Sequence, residues 1–185
     1  MKSKILDKIK NLEIKDSSVW INEAIFGYKN IYDYCSNLEI GSKVLEVGCG
    51  SGILLSLLVE NFNNLHFEGI EPFNDGFSSL KKLNTIIRDS GISIENKSIE
   101  EFNTSLRYDL IFCVNVFEHL DDWEYFLIKA MSLLEKNGKL LILCPNYGFP
   151  YESHFRIPII FNKKKTQHIF YDYINKFEKL NNFEG

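Results

Sequence analysis

The sequence lacks the cationic excess with which proteins grip phosphate backbones: its 185 residues carry a formal net charge of −4, so no nucleic-acid partner is expected. Its basic run, Lys163-Lys164-Lys165, reads as a solvated loop, with contact to an anionic head group or a sugar nucleotide as the alternative. It also lacks C-x-x-C spacing. Cys35, Cys49, Cys113 and Cys144 stand apart, and two lie inside apolar strand patterns where a thiol behaves as a small hydrophobe, which excludes a disulfide framework and a zinc site. His66, His119, His154 and His168 form no pair at helical spacing, so no metal is expected. The longest apolar runs, near Leu140–Cys144 and Ile157–Phe161, have the length of strands and fall far short of a bilayer, which argues against stable membrane insertion. The first eight residues mix charges of both signs without an apolar core segment, so a cytoplasmic location is the expectation. No internal repeat or low-complexity tract stands out. Hydrophobic residues make up 45% and charged residues 25%, ordinary proportions for one buried domain of this length.

What is present is concentrated between Val44 and Gly52. An apolar strand, Val44-Leu45-Glu46-Val47, runs into Gly48-Cys49-Gly50-Ser51-Gly52 and then directly into a helix beginning near Ile53. Glycines 48, 50 and 52 remove Cβ atoms where a small ligand must come close to the backbone, and the helix N-terminus offers free N–H groups. A dinucleotide fingerprint, G-x-G-x-x-G, would need its third glycine where Ile53 stands, so a nicotinamide dehydrogenase matches poorly. Downstream, His66–Ile70 reads as a second strand ending in Glu71-Pro72. A carboxylate at that distance can accept hydrogen bonds from a ribose diol and would repel a 2′-phosphate.

The rest of the chain alternates strands and helices. Ile5–Ile14 reads as a peripheral amphipathic helix, and Val19–Leu38, after the capping cluster Asp16-Ser17-Ser18, as an aromatic-rich helix that either packs on the sheet or covers a ligand. Strands are expected at Lys43–Val47, His66–Ile70, Ser93–Lys97, Tyr108–Val114 and Lys139–Cys144. Helices are expected from about Asp75 to Asp89 and from Asp121 to Glu135, the latter stopped by Asn137-Gly138. Alternation of this kind implies an α/β, Rossmann-like, doubly wound and mostly parallel sheet. The expected organisation is an N-terminal helical lid over 1–40, a cofactor-binding core over 41–146, and a substrate-side loop with a terminal helix over 147–185, in one domain overall.

The glycine loop, Glu46 and Glu71 together resemble motifs I and II of the class I S-adenosylmethionine-dependent methyltransferases, over about residues 40 to 155. The resemblance implies that S-adenosylmethionine is the cofactor. Glu46 would sit beneath its methionine end, the loop residues Gly48, Cys49 and Gly50 would line it, and Glu71, followed by Pro72, would hold the ribose. By the same resemblance Ser98 and Ile99 would flank the adenine, with Ser98 where an acid is usual. Asn115 and the backbone of Val116, at the end of the fourth strand, would face the cofactor. The tetrad Asn115-Val116-Phe117-Glu118 lacks the two prolines of enzymes that methylate adenine or glutamine amides, and the run Phe117-Glu118-His119-Leu120 is similar to the small-molecule and cell-surface-glycan branch. His119 is expected to be structural there.

Past the fifth strand, the aromatic segment Pro145–Phe155 is expected to border the acceptor, with His154 as the candidate catalytic base. The family sheet ends in an antiparallel hairpin, for which only the residues after Phe155 remain; the hairpin is expected to be missing or incomplete. Ile157–Phe161 reads as strand or extended loop and Gln167–Leu180 as one helix. The expected function is methyl transfer to a small-molecule or glycan-precursor acceptor, at a hydroxyl. The alternative is a non-catalytic or truncated cofactor-binding protein acting through a partner. Homo-oligomerisation is compatible with either.

Overall fold

The apolar runs fold, in the computed structural model, into a parallel sheet of five strands; the structure describes residues 3–12, 14, 17–72, 78–145, 151–152, 155 and 157–181. They divide into two compact units, Met1–Cys144 and Pro145–Gly185, and each is described by itself.

In the first unit β1 (Lys43–Val47) is central. It pairs in parallel with β2 (His66–Ile70) on one side and β4 (Tyr108–Val114) on the other, with β3 (Ile94–Glu95) and β5 (Leu134–Leu143) at the edges. The order β3-β2-β1-β4-β5 reverses direction between β1 and β4, and that is where open α/β sheets leave a crevice at the carboxyl ends of their strands. Alternation along β1 sends Val44 to one face and Leu45 and Val47 to the other. Val44 joins a core built with α1 (Lys4–Lys10), α2 (Ser17–Ser36), α3 (Ile53–Asn61) and α4 (Ser78–Arg88). Leu45 and Val47 join a second core with Ile99, Phe102 and the Phe126, Ala130 and Leu133 face of α5 (Trp123–Leu133). The doubly wound architecture follows from this two-sided burial.

Several boundaries differ from those the sequence implies. Helix α1 ends at Lys10, short of the expected Ile14; Ser3 caps it by accepting from the Leu6 N–H at 3.2 Å, and Ile5, Leu6 and Ile9 form its buried face in the first core. Strand β3 is two residues long because only Gly69–Ile94 and Ile70–Glu95 pair. The largest shift concerns β5, which begins at Leu134 rather than Lys139. Helix α5 stops at Leu133 without help from Asn137-Gly138; Leu134 is already extended (φ −77°, ψ 148°) and pairs with Tyr108. Gly138 serves the sheet instead. A Cβ there would lie 2.7 Å from the Tyr108 carbonyl oxygen, next to the register irregularity between Tyr108 and Leu110, where a bulge brings two backbones close.

The second unit holds a two-stranded antiparallel pair, β6 (Tyr151–Glu152) with β7 (Ile157–Pro158), as a sheet of its own. Its helices are α6 (Lys163–Ile169) and α7 (Tyr171–Asn181). The single helix expected over 167–180 is broken at Phe170, whose φ of −102° and ψ of 16° leave the helical range. Buried Thr166 ties the start of α6 to the chain before it, accepting from the Ile160 N–H at 2.7 Å and donating to the Asn162 carbonyl at 2.9 Å.

Candidate functional site

The candidate site lies at the carboxyl ends of β1, β2 and β4, where three loops meet. Gly48, Gly50 and Gly52 all have positive φ, at 70°, 50° and 76°, a backbone path that L side chains resist. The N–H groups of Gly48 and Cys49 both donate to the Ile70 carbonyl, at 2.9 and 3.0 Å, so the end of β2 fixes the start of the loop. The Gly50 N–H donates to Glu71 Oε2 at 2.8 Å. At the helix start, the Ile53 N–H is taken by the Ser51 hydroxyl at 3.3 Å.

The absent Cβ atoms leave different surroundings at the two leading glycines. At Gly48 a Cβ would lie 2.4 Å from Cγ2 of Val116, so the loop after β4 closes onto the loop after β1 through this position. At Gly50, among the described residues, a Cβ would meet Leu80 Cδ2 at 3.5 Å, an ordinary contact. Of these two glycines Gly50 is the less crowded by the described residues.

Two carboxylates lie under and beside it. Glu46, on β1, is 3% exposed, and its Oε2 has no hydrogen-bond partner among the described residues. Burial pushes its pKa well above the ordinary range and the Glu71 charge adds to the shift; water is the better solvent for a carboxylate, so the neutral acid is favoured. The Glu71 carboxyl is also raised by burial, while the Gly50 N–H opposes that shift. Cys49 is buried with its Sγ turned toward Gly69, where a Cβ would be 2.9 Å away, so it offers the site only its backbone. Its thiol is pushed well up by burial first and by Glu46 and Glu71 next.

Pro72 is half-buried beside Glu71. Ser98 is engaged locally: its hydroxyl accepts from the Glu101 N–H at 3.4 Å and its own N–H donates to Glu101 Oε2 at 3.2 Å, a reciprocal capping box. The Ile99 side chain is buried in the second core. Asn115 has φ 55°, in the left-handed region that Asn tolerates better than most residues, and its N–H donates to the Leu143 carbonyl at 2.8 Å. Val116 follows, half-buried, and leads into a 3-10 turn over Phe117–His119. His119 is exposed. His154 lies outside the described residues, as do residues 146–150 of the aromatic segment.

Two groups escape a reading of the sequence. Asn84, on α4, is 1% exposed and donates from Nδ2 to the Gly50 carbonyl at 2.9 Å; the signal was a polar residue on the buried face of an amphipathic helix. Glu118 has both carboxylate oxygens shielded from solvent and without a partner among the described residues. Among the described residues no cluster of His, Cys, Asp and Glu could hold a metal ion, and no helix is long and apolar enough to cross a membrane.

Comparison with known proteins agrees with this geometry. Residues 24–181 match the family described as "Methyltransferase domain", so the chain belongs to that family, the class I S-adenosylmethionine-dependent group that its glycine loop and second-strand acid resemble. Similar relatives include an uncharacterized protein of Mycobacterium tuberculosis, 34% identical over 149 residues, which cover 78% of this chain and 50% of that protein. Another is the ubiquinone biosynthesis O-methyltransferase of Rickettsia felis, 26% identical over 60% of this chain and 43% of that one. The chain thus spans about half the length of these relatives. Among solved structures, the plantazolicin methyltransferase BpumL, crystallised with a triazolic desmethylPZN analog and S-adenosylhomocysteine, shares the fold with a TM-score of 0.59 at 18% identity, over 96% of this chain and 66% of that one. A coclaurine N-methyltransferase bound to N-methylheliamine and S-adenosylhomocysteine gives 0.53 at 22%, over 64% of this chain and 35% of that one.

Proposed function

We propose that the protein binds S-adenosylmethionine in the glycine loop and transfers its methyl group to a hydroxyl of a small-molecule or glycan-precursor acceptor. The observation that carries the proposal is the Gly50 peptide, whose Cβ position meets among the described residues an ordinary contact with Leu80 at 3.5 Å and no clash, and whose N–H is on Glu71. In that grip Glu71 Oε1 and the second lone pair of Oε2 are left for a ribose diol. The unpartnered Oε2 of Glu46 suits the ammonium of a methionine tail, which would bring a positive charge to a buried acid and favour its ionised form.

The cofactor supplies an already activated methyl group on a sulfonium. The chain's own residues therefore have only to align, exclude water and take up a proton. Gly48, Cys49 and Gly50 orient the ligand through backbone, with Pro72 bracing Glu71. Ser98, Ile99, Asn115 and Val116 border it, the first two on the adenine side. His154 is the proposed base for a hydroxyl acceptor. A second acceptor class, a neutral amine, is favoured by Glu118: its carboxylate, kept from water and without a partner among the described residues, would stabilise the positive charge that develops on nitrogen as the methyl is transferred. A cytoplasmic location is part of this proposal.

The test separates binding from turnover. S-Adenosylhomocysteine should raise the melting temperature and NAD should not, since a ligand selective for the folded state adds to its stability. Glu71→Ala should remove most of that shift. Turnover on a panel of phenols, sugars and amines then reads the acceptor. Binding with no turnover on any of them supports a non-catalytic protein working through a partner, and no shift with S-adenosylhomocysteine sinks the cofactor assignment.

A further inference from the structure

We infer that Asn84 is a positioning residue for the cofactor loop: its buried side-chain amide holds the Gly50 carbonyl and so keeps the Gly50 N–H on Glu71. The inference rests on the cofactor reading above.

Asn84 is out of place on local grounds. Asn is a poor residue for a helix interior, and this one lies in mid-α4 among buried Leu80, Leu83 and Ile87, where an aliphatic side chain would pack well. A buried amide is unfavourable unless bonded. Its Nδ2 is bonded, at 2.9 Å, to a carbonyl 34 residues away in the chain. That carbonyl belongs to Gly50, whose N–H is the one bonded to Glu71.

The peptide units flanking Gly50 are therefore fixed from two elements. From the end of β2, Glu71 accepts the N–H at 2.8 Å; from α4, Asn84 donates to the C=O at 2.9 Å. A glycine with no Cβ has the widest choice of backbone angles, and between them these two bonds hold it at φ 50°. Leu80 of α4 approaches the same position to 3.5 Å, and Ile87 lies 3.0 Å from where a Gly52 Cβ would be. Helix α4 is thus the back wall of the loop, and Asn84 is its polar tether. Loss of the tether frees the Gly50 carbonyl to rotate, which turns its N–H off Glu71 and misplaces the carboxylate proposed to hold the ribose.

Two substitutions test this against a merely structural role. Asn84→Leu fills the same volume with an apolar group, so the ligand-free melting temperature should stay near wild type while the affinity for S-adenosylhomocysteine falls about tenfold, the equivalent of one hydrogen bond. In Asn84→Asp a protonated carboxyl can donate to the Gly50 carbonyl and an ionised one cannot. Its affinity, taken as a ratio to wild type at each pH so that titration of Glu46 and Glu71 cancels, should recover as pH falls. Leu83→Ala, fully buried on the same helix, should lose stability and keep the affinity of the folded protein. Amide exchange on the ligand-free wild type supplies a readout independent of folding in the variants: the Gly50 N–H should be protected, and exchange faster in Asn84→Leu. Unchanged affinity in both variants, or an unprotected Gly50 amide in the wild type, overturns the inference. If wild type ignores S-adenosylhomocysteine while Gly50 is protected through Asn84, the cofactor reading fails and the tether stands.

Discussion

Replacing Gly48 with alanine should destabilise the fold through two separable effects. The first is backbone strain: φ at Gly48 is 70°, and a Cβ in the left-handed region costs roughly 1–2 kcal/mol. The second is overlap. The new Cβ would lie 2.4 Å from Val116 Cγ2, 3.0 Å from Cγ1 and 3.3 Å from Cβ, so rotation about the Val116 side chain exchanges one clash for another. Forcing a methyl into such a contact costs about 1–3 kcal/mol. Together they predict a loss of about 2–5 kcal/mol, which at a urea slope of about 2 kcal/mol per molar lowers the unfolding midpoint by roughly 1–2.5 M. Val116→Ala in the same chain should return the overlap and leave the strain. The double-mutant cycle in urea should therefore give a coupling energy of about 1–3 kcal/mol. Additive effects, or a Gly48→Ala midpoint equal to wild type, would refute the claim that the loops after β1 and β4 interlock here.

Because burial and the Glu71 charge hold Glu46 neutral above its ordinary value of 4.5, the folded chain keeps a proton that the unfolded chain releases. Its contribution to stability is full below that ordinary value and is lost as pH rises toward the folded pKa. Glu46→Gln should therefore flatten the fall in ligand-free melting temperature across that window and raise it at neutral pH; superimposable pH profiles would contradict the assignment. Cys35 and Cys113 are pushed up to about 12 by burial, and Cys49 also well up, whereas Cys144 is exposed. Iodoacetamide at pH 7.5 should add one label to the folded chain, at Cys144, and a second label at a similar rate would disprove the burial argument. Tyr108, 1% exposed, donates its hydroxyl to Glu68 Oε2 across the sheet. Tyr108→Phe should cost about 1–3 kcal/mol in chemical denaturation, and a neutral result would mean that water serves Glu68 equally well.

The sequence alone determined the alternation of strands and helices, the bounds of β1, β2 and β4, the glycine bend and the acid two strands' reach beyond it. These are legible because they depend on local periodicity and on spacings of a few tens of residues. Tertiary structure decided the rest. Nothing near Gly48 announces that Val116, 68 positions later, needs the space of its missing side chain. Nothing near Asn84 announces a bond to the Gly50 carbonyl, and Gly138, which reads as a helix stop, proves to be a point of close approach between β4 and β5. Each is a contact between segments far apart in the chain: the loops after β1 and β4 meet because those strands are neighbours, α4 packs behind the loop after β1, and β4 lies beside β5. Periodicity records which face of a segment is buried; it carries no record of what is buried against it.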